Sequence, residues 1–234
     1  MHRTLPALIA LMLSTQALGA YQPPAGSEAD YRQAVASLDV VEPQLMVMVQ
    51  KLAQGTPAQD LEPRLGQLRG QWTPALQQLQ RAADAGHAVA QYRMALYLFA
   101  YQADAIELND PNQCALLTKS LEQGFAPAAG RMVNLCIGYV DGPAYAPALN
   151  KALSDFSQFT AYYPQPTVTL ECAKPNPQDI QLQWGDATAY QAELYRLLGF
   201  ASDRHSPLRR EFWQKAIDIN GCPAVARRMD RLQN

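Results

Sequence analysis

The residues best suited to covalent chemistry in this 234-residue chain are four cysteines. They are Cys114, Cys136, Cys172 and Cys222. Their intervals of 22, 36 and 50 residues do not match the close C-x-x-C pairs of zinc sites. An even number of cysteines favours disulfides when a chain reaches an oxidising compartment. We therefore predict two disulfide bonds and no metal site.

Two histidines, His87 and His205, lie beyond the first 20 residues and are candidate general bases. Neither stands in an H-E-x-x-H metal motif or beside a nucleophile elbow. Carboxylates such as Glu122 and Asp186 fall on predicted polar helix faces, and their spacing does not establish the facing pair that a glycosidase requires. We expect both histidines at the surface, and we predict that the protein is not an enzyme and uses no cofactor.

An internal repeat places an arginine and a methionine at fixed distances from a glycine. Gly86, Gly124 and Gly221 each have an arginine seven residues later and a methionine eight residues later. The repeat arginines are Arg93, Arg131 and Arg228, and the methionines are Met94, Met132 and Met229. We expect the methionines in the core. The arginines either line a groove for a partner or cover apolar surface and pair with an acid, so they are candidate binding residues.

Helix signals recur along the chain, and alternating strand-like segments are almost absent. Four dipeptides put a capping side chain before a proline suited to the first helical turn, namely Thr56-Pro57, Thr73-Pro74, Asp110-Pro111 and Ser206-Pro207. Each repeat glycine is expected to end one helix and to let small residues of the next helix pack closely. The sequence predicts an all-α chain built from helix, glycine turn and helix units. A weaker fourth unit begins at Gly185.

Three segments match the helix, glycine turn and helix pattern most fully. Residues 73–101 do so through Ala75, Arg81, Ala82, Ala83, Gly86, Ala88, Ala90, Tyr92, Met94 and Tyr97. Residues 110–137 do so through Asp110, Lys119, Gly124, Ala126, Ala128 and Met132, and residues 185–229 through Gly185, Ala189, Trp213, Gly221 and Met229. Together they resemble the Sel-one-like repeat, a relative of the tetratricopeptide repeat (TPR). The resemblance implies a TPR-like helix-turn-helix repeat array, an α/α solenoid, with repeats in residues 73–138 and 185–234.

An N-terminal segment, residues 21–72, precedes the repeats. It contains two predicted helices, 28–54 and 57–70, and Pro43 is expected to kink or restart the first of them. The end units of a solenoid need altered faces, so we expect these helices to cap the array. A coiled-coil arm is the alternative.

A Pro-rich insertion, residues 139–184, separates the repeats and contains a short predicted helix near 146–159. A loop of this length inside a compact chain is either functional or mobile. Tyrosine is favoured at interfaces because it combines a large, stiff ring with a hydrogen-bonding tip. Tyr162 and Tyr163 are therefore the predicted partner contacts of the insertion.

The predicted hairpin of the second repeat suggests how the cysteines pair. Cys114 lies 10 residues before the turn at Gly124, and Cys136 lies 12 residues after it. At about 1.5 Å per residue, the two stand at nearly the same height on neighbouring helices. Helices with small contact residues approach closely enough for a disulfide. We predict a Cys114–Cys136 bond and, by elimination, a Cys172–Cys222 bond.

Residues 1–20 have the layout of a secretory signal peptide. Arg3 is followed by an apolar run from Leu5 to Leu13 and then by the small residues Gly19 and Ala20. The run is too short to cross a bilayer, which takes about 20 apolar residues. We predict export across the inner membrane of a Gram-negative bacterium, cleavage after Gly19 or Ala20, and a periplasmic location.

The chain has 19 basic and 21 acidic residues and a formal charge of −2, which disfavours a nucleic acid partner. The repeat resemblance implies adaptor or scaffold work in the cell envelope, or neutralisation of a secreted toxin as its immunity protein. We predict a periplasmic protein-binding module whose partner is another protein. A cell-wall-acting enzyme and a structural component of an envelope complex are the alternatives.

Overall fold

The computed structural model describes residues 19–101, 108–167, 170–173 and 183–233, and these are mostly helical. The helices are α1 (Ser27–Ala53), α2 (Ala58–Asp84), α3 (Ala88–Tyr101), α4 (Pro111–Glu122), α5 (Ala126–Leu135), α6 (Ile137–Val140), α7 (Tyr145–Ser154), a 3-10 helix (Phe156–Tyr162), α8 (Ala187–Ala201), α9 (Pro207–Asn220) and α10 (Pro223–Gln233). Two short strands, β1 (Gln165–Thr167) and β2 (Gln183–Gly185), pair antiparallel. The predicted all-α class is thus confirmed, apart from this small sheet.

Three repeat glycines form the predicted turns. Gly86, Gly124 and Gly221 have φ angles of 95°, 98° and 73°, the left-handed region that a side chain disfavours. Each lies between two helices of the chain. Gly185 differs, because it ends strand β2 and pairs with Gln165. The predicted fourth unit therefore begins at the end of a strand rather than at a turn between two helices. Helix α8 follows it and is capped by Asp186.

Side-chain caps explain where several helices begin. Asp110 accepts a hydrogen bond from the backbone N–H of Gln113 at 2.7 Å, and Ser206 accepts one from Leu208 at 3.2 Å. Asp186 caps α8 in the same way through the N–H of Ala189. The caps predicted at Asp110 and Ser206 are therefore confirmed.

The helix start predicted at Thr73-Pro74 is wrong, because α2 continues through Pro63 and Pro74 to Asp84. Likewise, α1 continues through Pro43 rather than restarting there. An interior proline removes one backbone hydrogen bond, but a helix persists where tertiary packing outweighs that loss. The buried residues of α2 are Leu61, Leu68, Ala75, Leu79, Ala82 and Ala83. The predicted boundary between residues 72 and 73 therefore falls inside one helix.

Helices that follow one another in sequence pack against each other from α1 to α5 and again from α8 to α10. Helix α8 also contacts α5 and α7, which joins the C-terminal helices to the earlier ones. The main hydrophobic core runs through these contacts and includes Leu38, Tyr92, Leu121, Phe125 and Tyr190. The residues next to the α5–α8 contact form the site described below.

The insertion contributes to the core wherever the structure describes it. Helix α7 buries Tyr145 and Leu149, and the 3-10 helix buries Phe156 and Phe159. Strand β1 is buried along its whole length. This part of residues 139–184 is therefore packed structure rather than the loop that the prolines suggested.

Two disulfides join Cys114 to Cys136 and Cys172 to Cys222, with Cα–Cα distances of 5.6 and 4.3 Å. This is the predicted pairing. The first bond links α4 to the end of α5. The second links residues 170–173 to the start of α10, across 50 residues of sequence.

Candidate partner-binding groove

The three repeat arginines occupy three different environments. Arg93 is 1% exposed, and its Nη2 donates to Asp39 at 2.6 Å and to the Tyr97 hydroxyl at 3.0 Å. Glu42 lies 3.7 Å from the same nitrogen. Burial raises the pKa of Glu42 to about 7, although Arg93 acts in the opposite direction. Arg93 therefore joins α3 to α1 inside the protein. It is not placed to contact a partner, although its repeat position had made it a candidate binding residue.

Arg131 is also internal, with 4% of its surface exposed on the buried face of α5. Burial lowers the pKa of its guanidinium to about 10, and the nearby Tyr92 opposes that change. A partner on the surface cannot reach this guanidinium without opening the core. The structure therefore corrects the prediction for Arg131 as well.

Arg228 is the repeat arginine that reaches solvent. It lies on α10, and its guanidinium carbon sits 4.8 Å from the centre of the Phe200 ring on α8. Beside it is a cavity of about 350 Å³, which we call the Arg228 groove. Its lining residues are Val133, Val140, Asp141, Tyr145, Arg196, Leu197, Phe200, Ala201 and Arg228. Elements α5 to α8 and α10 thus converge on one concave surface.

The floor of the groove is held by a buried ion pair. Arg196 donates from Nε and Nη2 to Oε1 of Glu193, at 2.9 and 2.5 Å. The other carboxylate oxygen of Glu193 accepts the backbone N–H of Cys172 at 3.1 Å. Cys172 is in turn bonded to Cys222, the residue before α10. The disulfide and this carboxylate therefore fix α10, and with it Arg228, relative to α8.

The walls of the groove are mainly apolar, and their polar groups are few. The hydroxyl of Tyr145 donates to the carbonyl oxygen of Ala129 at 3.1 Å, so this polar group of the lining is already paired inside the protein. Asp141 and Arg228 are exposed at the rim. Among the described residues that line the groove, none is a cysteine, serine or histidine. This composition suits the binding of an apolar side chain.

Tyr162 is a core residue and Tyr163 is a partly buried residue that packs against the core, whereas both were predicted as partner contacts. Tyr162 is 7% exposed and packs its ring against Tyr21, Tyr31 and His87. The ring of Tyr163 stacks on Phe125 and Phe156. Burial raises the pKa of the Tyr163 hydroxyl well above its usual value. Their rings pack the insertion against α1 and against the residues that follow Gly86 and Gly124.

His87 is fully buried, contrary to the expected surface position. Its Nε2 lies 2.8 Å from Oε2 of Glu28, which also accepts the Tyr162 hydroxyl at 2.7 Å. Arg32 donates to the other oxygen of Glu28 at 2.6 Å. The turn at Gly86 brings His87 to α1, a contact that no local sequence signal indicates. His205 is exposed, as predicted.

Sequence reasoning missed Phe200 and Arg196, the residues that complete the Arg228 groove. They lie four positions apart on α8, a spacing at which helical side chains contact each other, and Arg196 stands over the Phe200 ring at 5.3 Å. Only the fold brings them to Arg228. Among the described residues, no cluster of three metal-binding side chains occurs, and no helix is long and apolar enough to cross a membrane.

No protein-family profile, curated protein sequence or solved structure matches this chain. The likeness to the Sel-one-like repeat therefore remains a resemblance of residues and spacing. What can be inferred about function comes from the groove, the disulfides and the charges of this chain.

Proposed function

We propose that this protein is an extracytoplasmic protein-binding module that holds a segment of its partner in the Arg228 groove. The observation that carries the proposal is the groove itself. It is a concave, largely apolar cavity with a volume of about 350 Å³, and an exposed arginine stands at its rim. Mainly apolar pockets of this size with a few polar groups are suited to ligand binding. An adaptor, a scaffold and a toxin-neutralising immunity protein are three forms that such a module takes.

The two disulfides are compatible with an oxidising compartment outside the cytoplasm. The proposed location is the periplasm, which the signal-like residues 1–20 support. Cleavage after Ala20 would leave Tyr21 as the first residue with its contacts in place. Its nitrogen donates to Gln158 at 3.0 Å, and its hydroxyl accepts the N–H of Ala88 at 2.8 Å. Mass spectrometry of fractionated cells should find a chain beginning at Ala20 or Tyr21.

Affinity capture with the disulfide-bonded protein tests the binding function. The bait should retain a partner from envelope extract, and the Arg228→Glu variant should retain less than a tenth as much, since reversal of a charge that pairs with the partner costs an interface about 1.5 kcal/mol or more. Arg204→Glu is the matched control, because Arg204 is exposed but does not line the groove. Equal capture by all three proteins would contradict the assignment of the groove.

A further inference from the structure

The charge of this chain is unevenly distributed, and the groove lies at its basic end. Residues 187–233 contain eight lysines and arginines but five aspartates and glutamates, although the whole chain is negative. Three of the arginines, Arg227, Arg228 and Arg231, are exposed on α10. An acidic ligand is therefore attracted to this end of the molecule rather than to the rest of its surface.

Arg228 has the donors that such a ligand requires. It forms no ion pair with any residue that the structure describes. Its guanidinium rests on the face of Phe200, an arrangement that holds the group in place and leaves its N–H donors at the edge available. Arg196 is different, because its Nε and Nη2 donate to Glu193. Arg228 is therefore the group that would receive a carboxylate.

The apolar wall lies directly beside this cation. Val133, Leu197 and Phe200 line the same cavity, whose volume of about 350 Å³ accommodates one or two amino-acid side chains. Asp141 stands on the rim of the cavity and is positioned for a donor such as a backbone N–H. A single site thus presents a cation, an apolar wall and a hydrogen-bond acceptor.

We infer that the Arg228 groove recognises a partner segment in which an acidic residue stands beside a large apolar residue. The acidic side chain pairs with Arg228, the apolar side chain packs on Leu197 and Phe200, and the segment's backbone approaches Asp141. This inference rests on the proposed function, because it names the chemistry of the segment that the module would hold.

Blocked tetrapeptides test the inference directly on the full disulfide-bonded protein. The probe is acetyl-Ala-Phe-Glu-Ala-amide, and the matched peptides replace its Glu by Lys or its Phe by Ser. Titrations followed by the amide NMR signals of the protein report affinity and location together. The probe should shift signals of α8 and α10 and bind about tenfold more tightly than the Lys peptide at low salt, with the difference shrinking as salt is added. The Ser peptide should also bind less tightly, because it lacks the apolar anchor.

Two variants separate the role of Arg228 from general charge. Arg228→Gln should remove the preference for Glu over Lys, whereas Arg227→Gln, a change of the same charge on the same helix, should keep it. Equal binding of the Glu and Lys peptides, shifts confined to other surfaces, or no shifts at about 5 mM peptide would overturn the inference. If such a result came with partner capture that still depended on Arg228, the binding function would stand and only the acidic and apolar motif would be wrong.

Discussion

Glu28 connects three separate parts of the chain through one carboxylate. Tyr162 of the insertion donates to it, His87 of the first repeat turn contacts it, and Arg32 of its own helix pairs with it. Hydrogen bonds to an ionised carboxylate are stronger than those between neutral groups. This polar cluster therefore holds α1 against both the repeat and the insertion.

The Tyr162 hydroxyl should stabilise the fold rather than bind a partner. We expect Tyr162→Phe to lower the free energy of unfolding by about 1.5 kcal/mol, because it removes a hydrogen bond to a charged group and keeps the ring. Tyr195→Phe is the control, since the Tyr195 hydroxyl forms no hydrogen bond with the described residues. Urea denaturation measures both variants, and an unchanged Tyr162→Phe midpoint would contradict a structural role.

His87 should make stability depend on pH. Burial lowers its pKa, while Glu28 opposes that effect, so the unfolded chain binds the proton first as the pH falls below about 6.5. The carboxylate of Glu28 behaves differently. Burial tends to raise its pKa, but Tyr162, His87 and Arg32 outweigh burial and lower it. Glu28 therefore remains ionised across the range in which His87 titrates.

We expect the contribution of His87 to the free energy of unfolding to decrease as the pH falls from about 7 to 5, because protonation of this imidazole favours the unfolded chain. Glu42, whose pKa burial raises to about 7, changes stability in the opposite direction in the same range. Tyr21, Tyr31 and Tyr162, which surround the imidazole, do not titrate there, since the pKa of each is raised. Denaturation at several pH values isolates this contribution: the free energy of unfolding of the protein minus that of His87→Gln should decrease as the pH falls. His205→Gln, at an exposed site, should keep the pH profile of the unchanged protein, and the same unchanged profile in His87→Gln would contradict the role of His87.

At the scale of elements, α8 and α9 are joined by the contact between a glycine and a tryptophan. A Cβ atom on Gly199 would overlap the indole ring of Trp213, which is 4% exposed. Phe200, the next residue, packs edge-on against the same indole at 5.3 Å. The close approach of these helices therefore depends on the absence of a side chain at residue 199.

We expect Gly199→Ala to destabilise the protein by about 2 kcal/mol, because the overpacked indole must move. Gly66→Ala in α2 is the matched control, since no atom lies within 4 Å of its added Cβ. Alanine is the better helix former, so this control should stabilise the protein by roughly 0.5–1 kcal/mol. Thermal or urea denaturation distinguishes the two, and stabilisation by Gly199→Ala would refute the close contact.

At the scale of the whole molecule, the two disulfides restrain different lengths of chain. Cys114 and Cys136 are 22 residues apart, and Cys172 and Cys222 are 50 apart. Loop entropy predicts that loss of the shorter bridge costs about 3 kcal/mol and loss of the longer one about 4 kcal/mol. Denaturation of the paired Cys→Ala variants measures these costs.

The longer bridge should also affect binding, because it anchors α10 beside the groove. Loss of Cys172–Cys222 should weaken partner capture in a protein that is still folded, whereas loss of Cys114–Cys136 should affect stability alone. Peptide mapping under non-reducing conditions checks that the native pairs are present. Equal capture by both variants would mean that α10 holds its position without the disulfide.

Local signals in the sequence predicted much of the framework. The left-handed turns at Gly86, Gly124 and Gly221 follow from a conformation that glycine tolerates best. The caps at Asp110 and Ser206 follow from side chains that bond to the first free N–H groups of a helix. The Cys114–Cys136 pairing follows from the height of two residues on one hairpin.

The roles of the repeat arginines and of the buried polar residues were decided by tertiary structure. Arg93, Arg131 and Arg228 stand at the same position of the sequence repeat. In the structure, however, Arg93 lies in a buried ion cluster, Arg131 lies in the core and Arg228 is exposed to solvent. His87 and Tyr162 were predicted at the surface, but both are buried beside Glu28. Glu28 lies 59 residues from His87 and 134 residues from Tyr162 along the chain. Turns and caps depend on a few neighbouring residues, whereas burial depends on which distant elements pack over a side chain. The sequence by itself therefore determined the turns, caps and pairing, and only the packed fold distinguished the arginine that faces solvent from those that hold the protein together.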